Sequence, residues 1–483
     1  MFPKLRNDFH PSAPRSVAQF ALGALVLCSC ASGTTSGAFP KAGTGSGGSG
    51  SNASPIATTS STPGPATSAT PGTATSAPTP LSTGGGTGVA TVPFAPTPDT
   101  DPFYAQPIPF PNVPNGTILA SRSVIYAPYQ DIAMSNKTWQ IKFVSRDTNM
   151  QRIAAIATVV EPTTPATGIA EPLVVFAYAE DSLGSECAPS HSVTGSQLYT
   201  GEQDYAALNA LALGYTLVYP DSEGPYTAYA SGVLAGHIGL DSAIAAEQFS
   251  PLGLNSKTPV GIYGYSGGAF VSAWAATLEQ TYAPNLNVVG IASGGTPANP
   301  AQIVQNIDSN AVANKIAFSL ILSATFGLNR SYPTLLTPIL NAAGVAAGAA
   351  LANGCGGATT GGATTPSGQF YDYTTSANPL PLPNVQAVLN QTTLPLAGQS
   401  PITNVFVYHS AVDELIPVAG AQTMVNAWCA AGSQVEFYIG ANGEHVTFGD
   451  TSGPLAIEYL ESRFAGTPTL VPPSSTTCNQ GGI

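Results

Sequence analysis

Short apolar runs alternate with helical patterns through the middle of this chain. Four runs have the composition of strands buried on both faces: residues 173–178, 215–219, 260–263 and 288–292. Three helical patterns separate them, at residues 204–213, 237–249 and 269–280. Because continuously apolar strands joined by helices are typical of a parallel sheet covered on both sides, the pattern predicts an α/β architecture.

Further strands flank this segment on both sides. Residues 118–126 and 138–160 carry apolar positions with a period of two and a turn near residue 148, which predicts an antiparallel start to the sheet. Beyond residue 400 the alternation resumes as strand 405–408, helix 418–429, strand 435–439 and helix 454–464. This order predicts an α/β-hydrolase fold, a mostly parallel central sheet flanked by helices.

A long insertion, about residues 294–400, separates the two halves of the predicted sheet. It is rich in Ala, Gly, Leu, Pro and Thr, has few charges, and contains two helical patterns at 316–328 and 336–351. Because a connection of this length is usually functional, we expect an inserted helical cap that packs over the site and lines an apolar pocket. The alternative is a low-complexity insert that does not pack.

The pentapeptide Gly264-Tyr265-Ser266-Gly267-Gly268 lies where a predicted strand gives way to a helix. A serine at the apex of such a turn is the context of a nucleophile elbow. We expect a Cβ at Gly264 or Gly268 to collide with a neighbouring strand or helix. The backbone N–H of Gly267 starts the helix and is a candidate donor to an oxyanion.

A serine nucleophile needs a base, and the base needs an acid that orients it. In this fold the chain order is Ser, then Asp or Glu, then His. Only His409 and His445 follow Ser266. His409 ends a strand, whereas His445 lies in a turn-rich loop after the last strand, so we predict His445 as the base. Asp413 is the preferred acid, with Glu414 as the alternative.

Composition narrows the class of function. Charged residues make up 8% of the chain and the formal net charge is −13, which argues against a nucleic-acid partner because that requires a basic face. The low content of charged residues favours an exported protein with a largely neutral surface, and such a surface suits an apolar or uncharged substrate. No Cys-x-x-Cys and no Cys/His cluster is present in the sequence, so we expect no metal and no other cofactor.

The N-terminus has the features of an export signal, residues 1–30, with basic residues before the apolar stretch 17–27. Ordinary cleavage near residues 31–33 competes with acylation of Cys30, which would anchor the protein to a membrane. Residues 31–100 are rich in Gly, Ser, Thr and Pro and are predicted to be a disordered tether. The hydrolase domain is then 101–483.

Six cysteines are present, and two of them lie at the signal. The other four are Cys187, Cys355, Cys429 and Cys478. In an oxidising compartment four cysteines predict two disulfides, for which three pairings are open.

Several blocks together resemble the secretory lipase family, the α/β-hydrolases that include Candida antarctica lipase A. They are Glu180-Asp-Ser182, Cys187-Ala-Pro-Ser190, the elbow with Ala269, Tyr282-Ala-Pro-Asn-Leu286, Ser293-Gly-Gly-Thr-Pro297, Asp413-Glu-Leu-Ile-Pro417 and Glu444-His445. The resemblance covers roughly residues 101–478. It implies a helical cap and agrees with the catalytic residues chosen above, Ser266, Asp413 and His445.

The resemblance also adds residues that the sequence patterns alone do not select. It implies an oxyanion hole shared between Gly267 and Asp181. It further implies that the disulfides are Cys187–Cys355 and Cys429–Cys478.

These observations predict an exported serine hydrolase of carboxylic esters, a lipase or esterase acting on acylglycerols. The expected partners are an ester or acylglycerol substrate and, as one option, a lipid–water interface, and a monomer is expected. One alternative is a short-chain or polyester carboxylesterase, which the same fold and catalytic residues would serve. The other is a surface-tethered binding protein that keeps the fold without catalysis.

Overall fold

The computed structural model describes residues 92–128, 132–196 and 204–478. All of these residues belong to one compact unit, Gly86–Ile483. A ten-stranded sheet runs through them. The strands are β1 Ile118–Val124, β2 Thr138–Arg146, β3 Arg152–Val160, β4 Leu173–Ala177, β5 Thr216–Pro220, β6 Val260–Tyr265, β7 Val288–Gly294, β8 Val405–Ser410, β9 Val435–Gly440 and β10 Thr476–Thr477. Their order across the sheet is β1-β2-β3-β5-β4-β6-β7-β8-β9-β10. The predicted signal, and the tether as far as residue 91, lie outside the described residues.

The centre of the sheet is parallel and its edges are antiparallel. Strands β5, β4, β6, β7, β8 and β9 pair in parallel. The pairs β1–β2, β2–β3 and β3–β5 are antiparallel, as is β9–β10. The mostly parallel sheet and its antiparallel start are therefore confirmed.

The helices cover the sheet and form the insertion. They are α1 Pro189–His191, α2 Asp204–Ala212, α3 Gly232–Gln248, α4 Ala269–Tyr282, α5 Pro300–Ser309, α6 Ala311–Ser331, α7 Pro333–Leu336, α8 Ala342–Leu351, α9 Pro383–Thr392, α10 Val418–Ala430 and α11 His445–Phe464. Helices α5 to α9 lie between β7 and β8, and we call this segment the cap.

Successive side chains of the central strands enter two different apolar cores. Val175 of β4 and Ile262 of β6 belong to the core on one face. Phe176 and Tyr263 belong to the core on the other face and stack with their ring centroids 4.4 Å apart. Both faces of the central strands are buried, which explains why their sequences are continuously apolar rather than alternating.

The cap has an apolar core of its own. Phe318 and Phe326 of α6 are buried against Leu351 of α8 and neighbouring cap residues. The hypothesis of an unpacked insert is therefore wrong. Among the described residues, α6 is the one helix long and apolar enough to cross a membrane, but 44% of its most apolar stretch is buried inside the fold.

Several helix boundaries differ from the sequence prediction. The predicted helix 336–351 is broken, because Pro338 lies in a 3₁₀ turn and Asn341 caps a new helix by accepting a hydrogen bond from the Gly344 N–H. Helix α3 begins five residues before residue 237. The last helix starts at His445 rather than Pro454, since the Glu444 side chain caps its first turn.

Two disulfides join distant parts of the fold. Cys187–Cys355 connects the segment after β4 to the cap, and Cys429–Cys478 connects α10 to the end of the described chain. These are the pairings that the family resemblance implies.

A buried carboxyl group links β2 to the helices that pack beneath the elbow. Asp241 of α3 accepts hydrogen bonds of 2.7 Å from the hydroxyls of Ser145 in β2 and Tyr282 in α4. Burial raises the pKa of Asp241 to about 7, although these two hydrogen bonds favour the ionised form. The group is therefore protonated in the folded protein at mildly acidic pH.

Replacing Asp241 is expected to flatten the dependence of stability on pH. The pKa of Asp241 is higher in the folded than in the unfolded state, so its contribution to stability is full below about pH 4. It declines as pH rises towards 7, by at most about 1.4 kcal/mol per pH unit. Thermal unfolding of Asp241→Asn should show a weaker decline between pH 4 and 8 than wild type. The exposed Glu458→Gln is the control and should follow wild type; parallel curves for Asp241→Asn would contradict the assignment.

Candidate active site

Ser266 directly follows β6 and so lies at the carboxyl edge of the sheet. Ser266 begins a single 3₁₀ turn, Ser266–Gly268, that leads directly into α4. Its φ angle is 53°, in the left-handed region that side chains rarely adopt. The serine therefore has the strained strand–turn–helix geometry that the pentapeptide predicts.

The flanking glycines have no room for a side chain. A Cβ on Gly264 would lie 2.2 Å from the carbonyl oxygen of Gly268. A Cβ on Gly268 would lie 2.1 Å from the carbonyl oxygen of Ala177, the last residue of β4. Since both obstacles are backbone atoms, they cannot rotate away, and the turn requires glycine at both positions.

The His445 imidazole contacts the Ser266 hydroxyl. Its Nε2 lies 2.7 Å from the Ser266 Oγ, and its side chain is buried. His445 is the first residue of α11, so it belongs to a helix and not to the predicted loop. The Tyr265 hydroxyl donates a 2.5 Å hydrogen bond to the His445 carbonyl oxygen and fixes the start of this helix.

Asp413 lies behind the imidazole. Its Oδ2 is 2.7 Å from His445 Nδ1, and its Oδ1 accepts hydrogen bonds from the N–H groups of Leu415 and Ile416. Burial alone would raise the pKa of Asp413, but hydrogen bonds from His409 and His445 outweigh it and hold the pKa well below its usual range. The carboxylate is therefore ionised wherever the protein is folded at ordinary pH.

The two competing candidates occupy different positions. His409 is fully buried, with Nε2 2.9 Å from the Ile416 carbonyl oxygen and 3.3 Å from Asp413 Oδ2. Glu414 accepts a 2.9 Å hydrogen bond from the backbone N–H of His445 and so contacts the main chain rather than the ring. The structure thus brings Asp413, His445 and Ser266 into one chain of contacts.

Asp181 and Gly267 lie together beside Ser266. Asp181 follows β4, is buried, and has a φ angle of 45°. Its Oδ1 is only 1.8 Å from the position that a Cβ on Gly267 would take, so the carboxyl group packs against this glycine. The local sequence pattern does not select Asp181. Its one local indication of function is its place just beyond a predicted strand, at the carboxyl edge where ligands bind in open α/β sheets.

A second group of carboxyls lies behind Asp181, and the sequence patterns missed it. Glu180 and Glu223 are both buried, and the Ser182 N–H donates a 3.3 Å hydrogen bond to Glu223 Oε1. Burial raises the pKa of each well above its usual range. The Asp221 and Asp181 carboxyls add to the shift of Glu180, and those of Glu180 and Asp181 add to the shift of Glu223.

An apolar cavity of 280 Å³ opens onto the serine. Ser266, Gly267, Asp181 and His445 form its polar end. Cap residues and α4 supply much of the apolar wall, among them Phe270, Ile303, Leu320, Ala324, Leu336 and Val388. Such a cavity can hold an apolar chain with its polar end at Ser266. Within the described ranges, no group of three or more His, Cys, Asp or Glu side chains is arranged to hold a metal ion.

Comparison with known proteins places this geometry in a family. The family model for secretory lipases matches residues 191–471, more than half of the chain. The secreted triacylglycerol lipase LIP2 of Malassezia furfur is 32% identical, over 77% of this chain and 80% of its own length. A Mycobacterium tuberculosis protein named "probable inactive lipase" is 31% identical, over 77% of this chain and 83% of its own length.

A solved structure gives the same assignment. The X-ray structure of Candida antarctica lipase A matches with a TM-score of 0.69 and 26% identity, over 77% of this chain and 87% of that one. The match covers most of both chains. The chain therefore belongs to the secretory lipase family of α/β-hydrolases, and it is a lipase-type carboxylic ester hydrolase.

Proposed function

We propose that this protein is a secreted lipase that hydrolyses acylglycerol esters through Ser266, His445 and Asp413. The observation that carries the proposal is the continuous hydrogen-bonded chain from the Ser266 Oγ through His445 to Asp413, at the polar end of an apolar cavity. The export signal in the sequence and the relatives named as secreted support export, and the names of these two relatives give no support for a lipid anchor at Cys30.

In the acylation step Ser266 attacks the ester carbonyl while His445 Nε2 accepts the serine proton. Asp413 holds the imidazole in the tautomer that leaves Nε2 free and stabilises the imidazolium that forms. Its depressed pKa supports this role, because a protonated acid could not stabilise a positive ring. His445 then donates the proton to the departing alcohol, which leaves the acyl group on Ser266.

The negative charge that develops on the carbonyl oxygen needs donors that are already in place. The Gly267 N–H, in the 3₁₀ turn that leads into α4, is one donor, and the Asp181 segment supplies the second side of the oxyanion hole. Each well-placed donor lowers the barrier by about 3 kcal/mol. Water then attacks the acyl-enzyme with His445 as base, and the same donors serve the second tetrahedral intermediate.

The apolar cavity favours a substrate with a fatty acyl chain over a polar ester. Relatives from Malassezia furfur are named triacylglycerol lipases, which supports acylglycerols as the class. A short-chain or polyester carboxylesterase would use the same residues, so the acyl length decides between the two. Exposed apolar side chains at the cavity wall, Ile316 and Val446, suit a substrate presented at a lipid–water interface.

The relatives named as lipases favour a hydrolase over a non-catalytic binding protein, although one relative is named as a probable inactive lipase. Labelling with a fluorophosphonate, which reacts only with an activated serine, tests whether Ser266 is the nucleophile. We expect wild type to be labelled at Ser266 and Ser266→Ala to be unlabelled. The exposed Ser367→Ala is the matched control and should react like wild type. A folded wild type that does not react would contradict Ser266 as the nucleophile.

The two neighbouring acids are expected to behave differently. Asp413→Asn should lower kcat by about 10⁴, because an amide favours the wrong tautomer of His445. Glu414→Gln keeps an oxygen for the His445 backbone N–H and should lower kcat by less than about tenfold. Steady-state kinetics on p-nitrophenyl butyrate measures kcat for both variants. Equal losses of kcat would contradict the assignment of Asp413 as the acid.

Filling the cavity is expected to shorten the preferred acyl chain. Ala324→Phe places a ring in the cavity wall, so kcat/KM for p-nitrophenyl palmitate should fall at least about tenfold while the acetate ester changes little. Ala346→Phe makes the same change at an exposed position of α8 and is the control. If wild type itself cleaves only acetate, the protein is an esterase rather than a lipase.

A further inference from the structure

The segment that carries Asp181 is held in an unfavourable conformation. Asp181 has a φ angle of 45° and sits between the end of β4 and Leu183. A residue in this region costs of order 1–3 kcal/mol and persists only where its surroundings hold it. The contacts of the residues on either side of Asp181 therefore decide whether this conformation is kept.

Contacts from the cap hold this segment on one side. The Leu183 N–H donates to the Gly354 carbonyl oxygen at 2.9 Å, and the Gly356 N–H donates to the Ser182 Oγ at 3.1 Å. The disulfide Cys187–Cys355 closes the same contact a few residues further along. The oxyanion segment and the cap residues near 355 thus form one continuous surface.

Arg330, near the end of α6, lies at the centre of these contacts. Its side chain is buried, with 6% of the residue exposed. Nη1 donates to the carbonyl oxygens of Leu183 at 2.9 Å, Tyr226 at 2.8 Å and Thr227 at 2.8 Å. Nη2 donates to Ala352 at 2.9 Å and, like Nε, to the carbonyl oxygen of Phe94.

The guanidinium joins four stretches of chain that are distant in sequence. Two of the residues whose carbonyls it binds, Phe94 and Thr227, also have positive φ angles, of 52° and 43°. Burial lowers the pKa of Arg330 to about 10, so the group stays cationic at neutral pH. A lysine carries three donors on one nitrogen and cannot span this arrangement.

We propose that Arg330 is a positioning residue of the active site. By binding the Leu183 carbonyl together with those of residues 226–227, Ala352 and Phe94, it fixes the Asp181 segment against Gly267 and keeps the oxyanion hole formed. This inference rests on the proposed function, because it concerns the second side of that hole. It also means that the C-terminal end of α6 is part of the catalytic framework, although it belongs to the cap.

The test compares Arg330→Met and Arg330→Lys with Lys315→Met, which removes an exposed cation from the same helix. On p-nitrophenyl butyrate we expect Arg330→Met to lose 10- to 100-fold in kcat with KM within about twofold, because a misplaced donor affects the transition state and not the bound ester. Arg330→Lys should regain only part of the loss. The inhibition constant of phenylboronic acid, which forms a tetrahedral adduct on the serine, should rise by the same factor as kcat/KM falls.

A purely structural role would give a different pattern. The melting temperature of Arg330→Met would then fall while kcat and boronate binding of the folded protein stayed unchanged, and the inference would be overturned. Should Arg330→Met fail to fold, Arg330→Lys carries the same comparison. Hydrogen exchange of the Ser182 and Leu183 amides is independent of activity: faster exchange in the variants supports the inference and unchanged protection overturns it. A wild type that hydrolyses no ester would instead refute the proposed function.

Discussion

The whole arrangement depends on one steric constraint, the absence of space around the turn at Ser266. Backbone carbonyls approach to within 2.2 Å of where side chains on Gly264 and Gly268 would begin. Because Gly264 and Gly268 have no side chains, β6, β4 and α4 can come close enough to hold Ser266 at a φ angle of 53°. The same closeness puts the Gly267 N–H and the Asp181 segment next to the serine hydroxyl. Reactivity and backbone strain therefore arise from the same packing.

Much of the fold and of the candidate site could be predicted, because features that depend on neighbouring residues leave a clear pattern in the sequence. The elbow, the parallel strands and the order of Ser266, Asp413 and His445 follow from apolar runs, glycine spacing and the topology of the fold. The strand ends at β4, β6, β8 and β9 then bring these segments to one edge of the sheet. The start of α11 was predicted too late, because Pro454 suggested a helix beginning whereas the Glu444 cap sets it at His445.

The rest could not be predicted because it depends on contacts between residues far apart in the chain. Asp181 and Gly267 are 86 positions apart, and nothing near Asp181 in the sequence distinguishes it from a loop carboxylate. Nothing in the sequence pattern around Arg330 marks it as a buried residue. Its burial among the carbonyls of four segments is visible only once the cap has packed on the core. Family resemblance, rather than local pattern, supplied Asp181.

The bridge between Cys187 and Cys355 encloses 168 positions of the chain, and the nucleophile lies among them. In the chain-entropy model, a link that closes so long a loop stabilises the fold by restricting the unfolded chain. Because its ends lie in the segment after β4 and in the cap, the covalent bond ties two walls of the catalytic cleft together. Under reducing conditions, non-covalent contacts such as the hydrogen bond from the Leu183 N–H to the Gly354 carbonyl oxygen would hold these walls alone.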